Sequence, residues 1–397
     1  MELNVIIPSV KAEIVDSECI TVLFDRPLKT LSSVFFKGGF VEARSILNMH
    51  VPKSYDHEDP EGDVRRMIEK LGLPEPVIGM MTAAEMENVA VANKEEEQGE
   101  LAVTAIVTAG ISNAATAGER PRFPSLENTI NVILLVDANL SLEAMIGSVM
   151  VATEAKTIAL RELDIRSFST DSDYGLLTNL ASGTTTDSVT VSCTGKGEMI
   201  SFNTSGIELG RLIGPAVKEA VLEGLEKQEK INAERPLLDR LEERGISIEY
   251  LIKIAEDHYF PLFTGKNREN DRYRKEVFKK ELEEVLSHDQ RVCSLVIAGL
   301  GFEEDKKKLG LIPYEAEKFI QKEIKEGANR DPELFFGEVI AEYIGESKGS
   351  QLYKQSVENF KKSSEHPSKE DMPPAMYNIL LGLVGGTIGR INQRSKK

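Results

Sequence analysis

The sequence predicts an α/β N-terminal domain, in which a sheet is covered by helices, followed by an all-α helical domain. The chain has 397 residues, which is more than one compact core normally holds. Ser, Thr, Asn, Gly and β-branched runs are frequent up to about residue 230, whereas Lys and Glu dominate after it with helical spacing. The charged segment 226–235, followed by Pro236, is typical of a linker. We therefore expect domains at residues 1–232 and 233–397.

Three short apolar runs predict strands of the first domain. They are residues 101–108 (LAVTAIVT), 129–136 (TINVILLV) and 187–193 (DSVTVSC), and each is rich in β-branched residues. The first two are apolar on both faces, which is typical of central strands covered by helices. The first hundred residues are β-rich as well, with a tight turn at Gly38 and Gly39.

Two helices are expected between and after these strands. Ser141 is a good N-cap, and Glu143 lies in the first turn, near the positive end of the helix dipole. The first helix should run from residue 142 to about 163, and the second from 206 to about 225. Residues 55–63 (YDHEDPEGD) are expected to form an acidic loop. Strands that alternate with helices predict the α/β class.

The second domain has helical spacing throughout and no strand pattern, so a helical bundle is expected. Gly382, Gly385, Gly386 and Gly389 form a stripe on its last helix, which indicates close packing against another helix. The expected helices are residues 236–243, 247–259, 270–286, 289–300, 313–325, 331–344, 351–362 and 375–391.

Composition restricts the function classes. A net charge of -17 argues against a nucleic-acid partner, because phosphate binding needs a concentrated Lys and Arg surface. The most apolar runs, residues 130–138 and 379–388, are too short to span a bilayer, and the first residues lack the pattern of a signal peptide. We therefore expect a cytoplasmic protein. Cys19, Cys193 and Cys293 are far apart in sequence, which favours neither a disulfide framework nor a metal-binding motif.

Three loops concentrate small and polar residues beside predicted strand ends, where α/β proteins place their ligands. They are residues 107–118 (VTAGISNAATAG), residues 181–187 (ASGTTTD), and residues 30–39 together with Asn48. Gly-rich loops expose backbone N–H groups that can hold an anion or an oxyanion. The threonines add hydroxyls, and a carboxylate can act as a base or orient one.

These groups are the ones that amide hydrolysis needs: an activated attacker, donors for an oxyanion and an acid for the leaving amine. The candidate catalytic residues are Asp187, Thr184, Thr186, Asn113 and Glu154. The candidate substrate-binding residues are Ser32, Ser33, Gly38, Gly39, Asn48, Thr82, Gly110 and Gly183.

Several of these patterns have a second interpretation that the residues alone leave open. Asp187 is equally typical of a strand-end turn, in which its carboxylate accepts hydrogen bonds from nearby backbone N–H groups. Glu154, two residues before Lys156, also fits a solvated helix face. Cys193 fits a small core residue, and His57 fits a solvated loop residue.

Seven segments, taken in order, resemble the adenosylcobinamide amidohydrolases over roughly residues 20–200. Any one segment is weak evidence for the family, but unrelated folds would not repeat the whole series. The segments are LSSVFFKGG from Leu31, EARSILNMHV from Glu42, GMMTA from Gly79, VTAGISNAATAG from Val107, TINVILLVDANLS from Thr129, ATEAKTIALRELDI from Ala152 and ASGTTTDSVTV from Ala181.

That resemblance implies a corrinoid salvage reaction. The family hydrolyses the amide that joins the aminopropanol arm to the corrin ring of adenosylcobinamide, which gives adenosylcobyric acid and aminopropanol. The residues and the resemblance leave the cofactor of this amidase open. The positions that match the family's pattern are Gly110, Asn113, Gly183, Thr184, Thr186 and Asp187.

A corrinoid-binding protein without catalysis is the alternative function. A carrier of that class normally offers cobalt a histidine ligand in a DxHxxG loop, and this sequence contains no such loop. Binding without product release would distinguish this alternative from the amidase.

The second half is similar to the helical α-ribazole phosphatases related to phosphatidylglycerophosphatase A, and some archaeal proteins fuse the two parts. The segments that carry this resemblance are residues 237–252, 294–313 and 338–349. A homo-oligomer through this helical domain is a further expectation.

The second half departs from the phosphatase pattern where that family holds its metal. Gly337 and Glu338 stand where the family has Asp-Glu, and Tyr377 and Asn378 stand where it has Asp-Asp. Glu338 and Glu342 are one helical turn apart, and paired carboxylates can hold Mg²⁺. Glu338 is therefore the one candidate metal ligand, and Mg²⁺ the candidate cofactor. Because phosphoryl transfer needs clustered carboxylates, we expect a degenerate domain.

Overall fold

The computed structural model describes residues 1–56, 58–97, 99–120, 129–167, 179–260, 270–308, 332–362 and 374–395. Contacts within the chain divide it into two compact units, one formed by the described residues up to Glu234 and the other by those from Arg235 onward. The predicted fold class is confirmed, since a mixed sheet packed with helices is followed by a helical region. The predicted domain bounds, residues 1–232 and 233–397, stay a prediction.

The first unit contains strands, three helices and one 3-10 turn (Met86–Asn88) in its described residues. Its strands are β1 (Val10–Val15), β2 (Cys19–Ser32), β3 (Gly39–His50), β4 (Val77–Thr82), β5 (Ala90–Glu95), β6 (Ala102–Ala109), β7 (Ala114–Ala115), β8 (Ile130–Val136), β9 (Asn139–Leu140), β10 (Gly183–Thr184), β11 (Ser188–Cys193) and β12 (Met199–Ile200). Its helices are α1 (Pro60–Leu71), α2 (Leu142–Glu162) and α3 (Glu208–Glu229).

One sheet of eight strands organises this unit. The strand order is β4-β3-β2-β11-β8-β6-β5, and β1 pairs with β2 outside that path. The β3–β4 and β8–β11 pairs are parallel, and the other pairs in this sheet are antiparallel. Two-residue strands form the separate pairs β7–β10 and β9–β12. In the parallel β8–β11 pair, Asn131, the second residue of β8, lies beside Ser188, the first residue of β11.

The central strands are buried on both faces, as their apolar runs predict, but the two faces have different covers. Val132 and Leu134 of β8 belong to the same core as α2 and α3. Ile133 and Leu135 pack instead with the N-terminal segment and the β1–β2 hairpin, including Leu3. Helices therefore cover one face of β8 only, because the first residues of the chain fold back over the other.

Helix α2 forms where the sequence predicts it. Ser141 is the N-cap, and its Oγ accepts a hydrogen bond of 3.2 Å from the backbone N–H of Ala144. The strands predicted at 101–108 and 129–136 are likewise confirmed within a residue.

The acidic loop expected at residues 55–63 is wrong in its second part, because Pro60 begins α1. Asp59 caps this helix by accepting a hydrogen bond of 2.9 Å from the N–H of Gly62, and Pro60 suits the first helical position. Val64 and Ile68 then bury one face at the i, i+4 spacing. His57 lies outside the described residues.

The sheet curls so strongly that strands far apart in its order meet. The pairing of β2 with β3 shifts register between Leu23 and Leu28, which lets the long β2 strand bend. As a result Nδ2 of Asn131 on β8 donates to the carbonyl of Met81 on β4 at 2.9 Å, across the intervening strands. The curled end of the sheet encloses the pocket described below.

The second unit is helical in its described residues, which confirms that prediction. Its helices are α4 (Leu237–Glu242), α5 (Ile248–His258), α6 (Asp271–His288), α7 (Gln290–Lys308), α8 (Pro332–Lys362) and α9 (Pro374–Arg394). The helix expected at residues 313–325 lies outside the described residues. The helices expected at 331–344 and 351–362 form one span, α8, which breaks at Glu346 with φ 49° and ψ -147°.

The glycine stripe of α9 packs as predicted. A Cβ on Gly386 would lie 3.0 Å from Cα of Ala341, and one on Gly389 would lie 2.6 Å from the backbone N of Gly349. Helices α8 and α9 therefore approach backbone to backbone at these positions. Among the described helices, none is long and apolar enough to cross a membrane.

Candidate active site

A pocket of about 390 Å³ lies at the curled end of the sheet. Ser33 of the 30–39 region and Thr186 and Asp187 of the 181–187 loop line it, together with Thr82 of β4, whereas no residue of the 107–118 loop does. Phe35, Met80 and Met81 add an apolar part to the same pocket. Concave sites that combine apolar walls with a few converging polar groups are the usual form of small-molecule sites.

Asp187 is the most densely hydrogen-bonded side chain at this pocket. Its Oδ1 accepts from Oγ1 of Thr184 at 2.5 Å and from the backbone N–H of Ile130 at 3.0 Å. Its Oδ2 accepts from the backbone N–H of Thr184 at 2.9 Å and from the ammonium of Lys156. The turn interpretation of Asp187 is thus correct for its backbone partners, while the lysine and the hydroxyl give it chemical partners as well.

Lys156 reaches Asp187 from the buried face of α2. The two side chains form an ion pair in which the lysine is 7% and the aspartate 12% exposed. A Cβ on Gly183 would lie 2.6 Å from Nζ of Lys156 and would also contact Asp187, so only glycine leaves room for this pair. Thr157, the next residue of α2, donates to the carbonyl of Ser182 at 3.0 Å and attaches the 181–187 loop to the helix.

Asn113 holds the threonine loop in place. Its Nδ2 donates to Oγ1 of Thr185 at 2.8 Å and to Oγ1 of Thr186 at 3.4 Å. The β7–β10 pair joins the same two loops through their backbones. Thr129 completes this arrangement by donating to the carbonyl of Thr186 at 2.8 Å.

A buried polar layer lies beneath the pocket. Asn48 donates to Oγ1 of Thr108 at 2.9 Å and accepts from Nδ2 of Asn131 at 3.0 Å. Oγ of Ser188 donates to Oδ1 of Asn131 at 2.6 Å. Because each of these buried groups has a partner, the layer orients Asn131 and Ser188, which both line the pocket.

The other candidate residues, Ser32, Gly38, Gly39 and Gly110, are part of the framework, and Ser33, which lines the pocket, is tied to it. Ser32 is buried, and its Oγ lies 2.6 Å from Oγ1 of Thr190 on β11. Ser33 accepts from the N–H of Val189 at 3.0 Å. Gly39 has φ +85°, which the tight turn between β2 and β3 requires. The structure places the predicted Gly38 in that turn and Gly110 at the end of β6.

Glu154 does not join the other candidates. It is exposed on α2 and lines a larger groove, of about 1040 Å³, beside α3. Two charged side chains of this groove, Lys218 and Glu162, form an ion pair with each other at 2.6 Å. We place the active site in the smaller pocket, because the buried and oriented polar groups are there.

Lys156 and Asn131 are the functional candidates that sequence reasoning missed. Lys156 stands four residues after Ala152 and four before Leu160, both of which are buried, so its spacing pointed into the core. Asn131 is a lone amide inside an apolar strand, which is a signal for a buried polar contact.

The pKa values of Cys19, Cys193 and Tyr55 in this unit are raised, so these groups are less ionised than ordinary thiols and phenols. Burial raises the pKa of Cys19 to about 11 and also raises the pKa of the Cys193 thiol. Both are therefore protonated core residues near neutral pH. At the pocket, burial and the hydrogen bond to Asp63 raise the pKa of Tyr55.

In the second unit, the expected metal ligand is engaged in an ion pair. Glu338 is buried and lies 2.8 Å from Nζ of Lys354. The hydroxyl of Tyr377 lies 2.7 Å from Nε2 of His258. Within the described residues, no group of three or more His, Cys, Asp or Glu side chains could hold a metal ion together. Mg²⁺ at Glu338 stays a prediction.

The cluster around Asp187 contains two of the groups that amide hydrolysis needs, an attacking oxygen and an acid for the leaving amine. Thr184 offers a hydroxyl whose proton already points to a carboxylate, and Lys156 offers a positive charge at the other carboxylate oxygen. Such an arrangement can activate an attacking oxygen and return a proton to a leaving amine.

Comparison with known proteins identifies the first unit. The adenosylcobinamide amidohydrolase family matches residues 7–233. An adenosylcobinamide amidohydrolase of Methanosarcina mazei is 32% identical over 194 residues, which cover 49% of this chain and 88% of that protein. An uncharacterized protein of Methanocaldococcus jannaschii is 32% identical over 241 residues, which cover 54% of this chain and 89% of that protein.

Among solved structures, a crystal structure of a Pyrococcus horikoshii OT3 protein aligns with a TM-score of 0.28 and 12% identity. That alignment covers 57% of this chain and 83% of the other, and its similarity is too low to bear on the fold. The family match ends at residue 233, so the phosphatase resemblance of the second unit stays a prediction. The match spans more than half of the chain, which is therefore an enzyme that belongs to the adenosylcobinamide amidohydrolase family.

Proposed function

We propose that the first unit hydrolyses the amide between the aminopropanol arm and the corrin ring of adenosylcobinamide. Water is consumed, the C–N bond breaks, and the products are adenosylcobyric acid and aminopropanol. The observation that carries this proposal is the Asp187 carboxylate at the pocket wall, with a hydroxyl and an ammonium bound to it, inside the region that matches the family.

Thr184 is the attacking group in this proposal. Its Oγ1 adds to the amide carbon while its proton passes along the 2.5 Å hydrogen bond to Oδ1 of Asp187. When the C–N bond breaks, the carboxyl group returns that proton to the departing amine. A water molecule then hydrolyses the threonyl ester, which releases the acid and restores the hydroxyl.

Lys156 and Asn113 have supporting roles. Lys156 fixes the orientation of the carboxylate and places a positive charge beside the reacting groups, where negative charge develops in the transition state. Asn113 orients Thr185 and Thr186 and so shapes the loop that carries Thr184.

Product analysis with the full-length chain tests the proposal. The protein is incubated with adenosylcobinamide, aminopropanol is measured by mass spectrometry, and the corrinoid is separated by liquid chromatography. We expect equal amounts of aminopropanol and adenosylcobyric acid that grow with time. Saturable corrinoid binding without either product would contradict hydrolysis and support the alternative, a corrinoid-binding protein.

A further inference from the structure

The pocket is too small for the whole of the substrate that the proposed function assigns to it. Its volume of about 390 Å³ is at the low end for sites that enclose a drug-sized ligand. A corrin macrocycle with its amide side chains and adenosyl group is much larger than such a ligand. The aminopropanol arm can enter toward Asp187, but the ring must stay outside and rest on the rim.

Phe35 is the exposed aromatic residue of that rim. It lines the pocket, yet 51% of its surface remains exposed. Val34 before it and Phe36 after it are buried, so the chain alternates inward and outward at this point. The aromatic ring therefore presents an apolar surface at the mouth of the site.

The exposure of Phe35 is imposed by the backbone on both sides of it. Ser33 is tied to β11, since its N–H donates to the carbonyl of Val189 at 3.1 Å and its Oγ accepts from the N–H of Val189. Phe36 is tied to β4, where its carbonyl accepts from the N–H of Gly79 at 3.2 Å. Because hydrogen bonds fix Ser33 on one side and Phe36 on the other, Phe35 cannot turn inward without breaking these contacts.

We infer that Phe35 is a specificity-determining residue whose ring packs against the corrin ring while the arm occupies the pocket. This inference rests on the proposed function. Covering the exposed half of a phenylalanine with an apolar ring face is favourable, and it recognises the macrocycle independently of the amide to be cut. Recognition and chemistry would then lie in separate parts of the site.

Phe40 provides a matched control. It follows the same β2–β3 connection, as the second residue of β3, and has the same exposure, 51%, but it does not line the pocket. Both phenylalanines can be replaced without opening a core cavity.

The test compares Phe35→Ala and Phe40→Ala in the full-length chain. With adenosylcobinamide, Phe35→Ala should raise KM about tenfold, or ~1.4 kcal/mol, with kcat close to the wild-type value, whereas Phe40→Ala should change neither. Adenosylcobyric acid has the ring but lacks the arm, so its inhibition constant should rise in Phe35→Ala by the same factor. Phe35→Tyr keeps the aromatic face and should restore most of the affinity.

Three results would overturn the inference while leaving the proposed function intact. The first is an unchanged KM in Phe35→Ala, and the second is an equal rise of KM in Phe40→Ala. The third is a raised KM of Phe35→Ala for adenosylcobinamide with an unchanged inhibition constant for adenosylcobyric acid, since Phe35 would then contact the arm. Failure of the proposed function is a different result, namely no aminopropanol from the wild-type protein.

Discussion

The kinds of hydrogen-bond donor that Asp187 has are also found at a second aspartate of the same unit, Asp137. A comparison of the two residues separates a structural role of such an aspartate from a catalytic one. At the opposite end of β8, Asp137 accepts from Oγ1 of Thr194 at 2.7 Å and from Nζ of Lys196 at 2.9 Å. The two aspartates therefore have the same kinds of donor. Only Asp187 lines the pocket, and its lysine is buried whereas Lys196 is half exposed.

This duplication gives Thr184 a matched control. Thr184→Val removes the proposed attacking oxygen and should lower kcat on the order of a hundredfold or more, while Thr184→Ser keeps a hydroxyl and should retain a measurable rate. Thr194→Val removes the equivalent hydrogen bond to Asp137 and should leave kcat unchanged. The measurement is the steady-state rate of aminopropanol release.

Wild-type turnover in Thr184→Val would exclude Thr184 as the nucleophile. A water molecule activated at Asp187 would then be the attacker. A covalent adduct of Thr184 with the corrinoid acid, seen by mass spectrometry of rapidly quenched protein, would support the proposed route directly.

Sequence reasoning located the loops of the site but not all of its contacts. Asn113, Thr186 and Asp187 lie in polar loops at strand ends, and such loops are visible as composition. Lys156 was hidden because a lysine beside Glu154 on a helix is normally solvated, and only the three-dimensional position of Asp187 explains its burial. The pairing of Asn131 with Asn48 depends on the curl of the sheet, which no local pattern encodes.

At the level of elements, strong local signals were the reliable ones. Helix α2 has a capping serine, and β8 is an apolar run apart from Asn131, so both form where expected. Helix α1 was missed because its acidic start resembles a loop, although Asp59 and Pro60 are an N-cap and a first helical residue. The first residues of the chain cover one face of the sheet through long-range contacts, and no local sequence pattern predicts such contacts.

The break in α8 leads to a stability prediction. Glu346 has φ 49° and ψ -147°, a region that favours glycine, so Glu346→Gly should raise the free energy of unfolding by about 1 kcal/mol. Glu342 is exposed within the same helix and has no such strain, so Glu342→Gly should lower it by about 1 kcal/mol. Urea titration followed by far-UV circular dichroism measures both values. A loss of stability in Glu346→Gly as large as that in Glu342→Gly would contradict the strained break.

At the scale of the whole molecule, the family match and the pocket belong to the same unit. The match covers residues 7–233, and every residue that lines the pocket lies within that range. The second unit has its own apolar core and places Tyr377 and Glu338 in contacts with His258 and Lys354. We therefore assign the proposed amide chemistry to the first unit alone.

The most direct test of that account is the single-turnover rate of Asp187→Asn in the full-length chain, with adenosylcobinamide bound. Asp137→Asn is the matched control, and Asp187→Asn combined with Lys156→Gln removes both charges of the buried pair and so limits the loss of stability. Binding is followed by the corrinoid absorbance, and folding by thermal melting.

We expect that Asp187→Asn and the double variant fold, bind adenosylcobinamide and release aminopropanol at least about a hundredfold more slowly than the wild type, while Asp137→Asn matches the wild type. Near-normal release by Asp187→Asn, or an equal loss in Asp137→Asn, would contradict the placement of the reaction at this pocket.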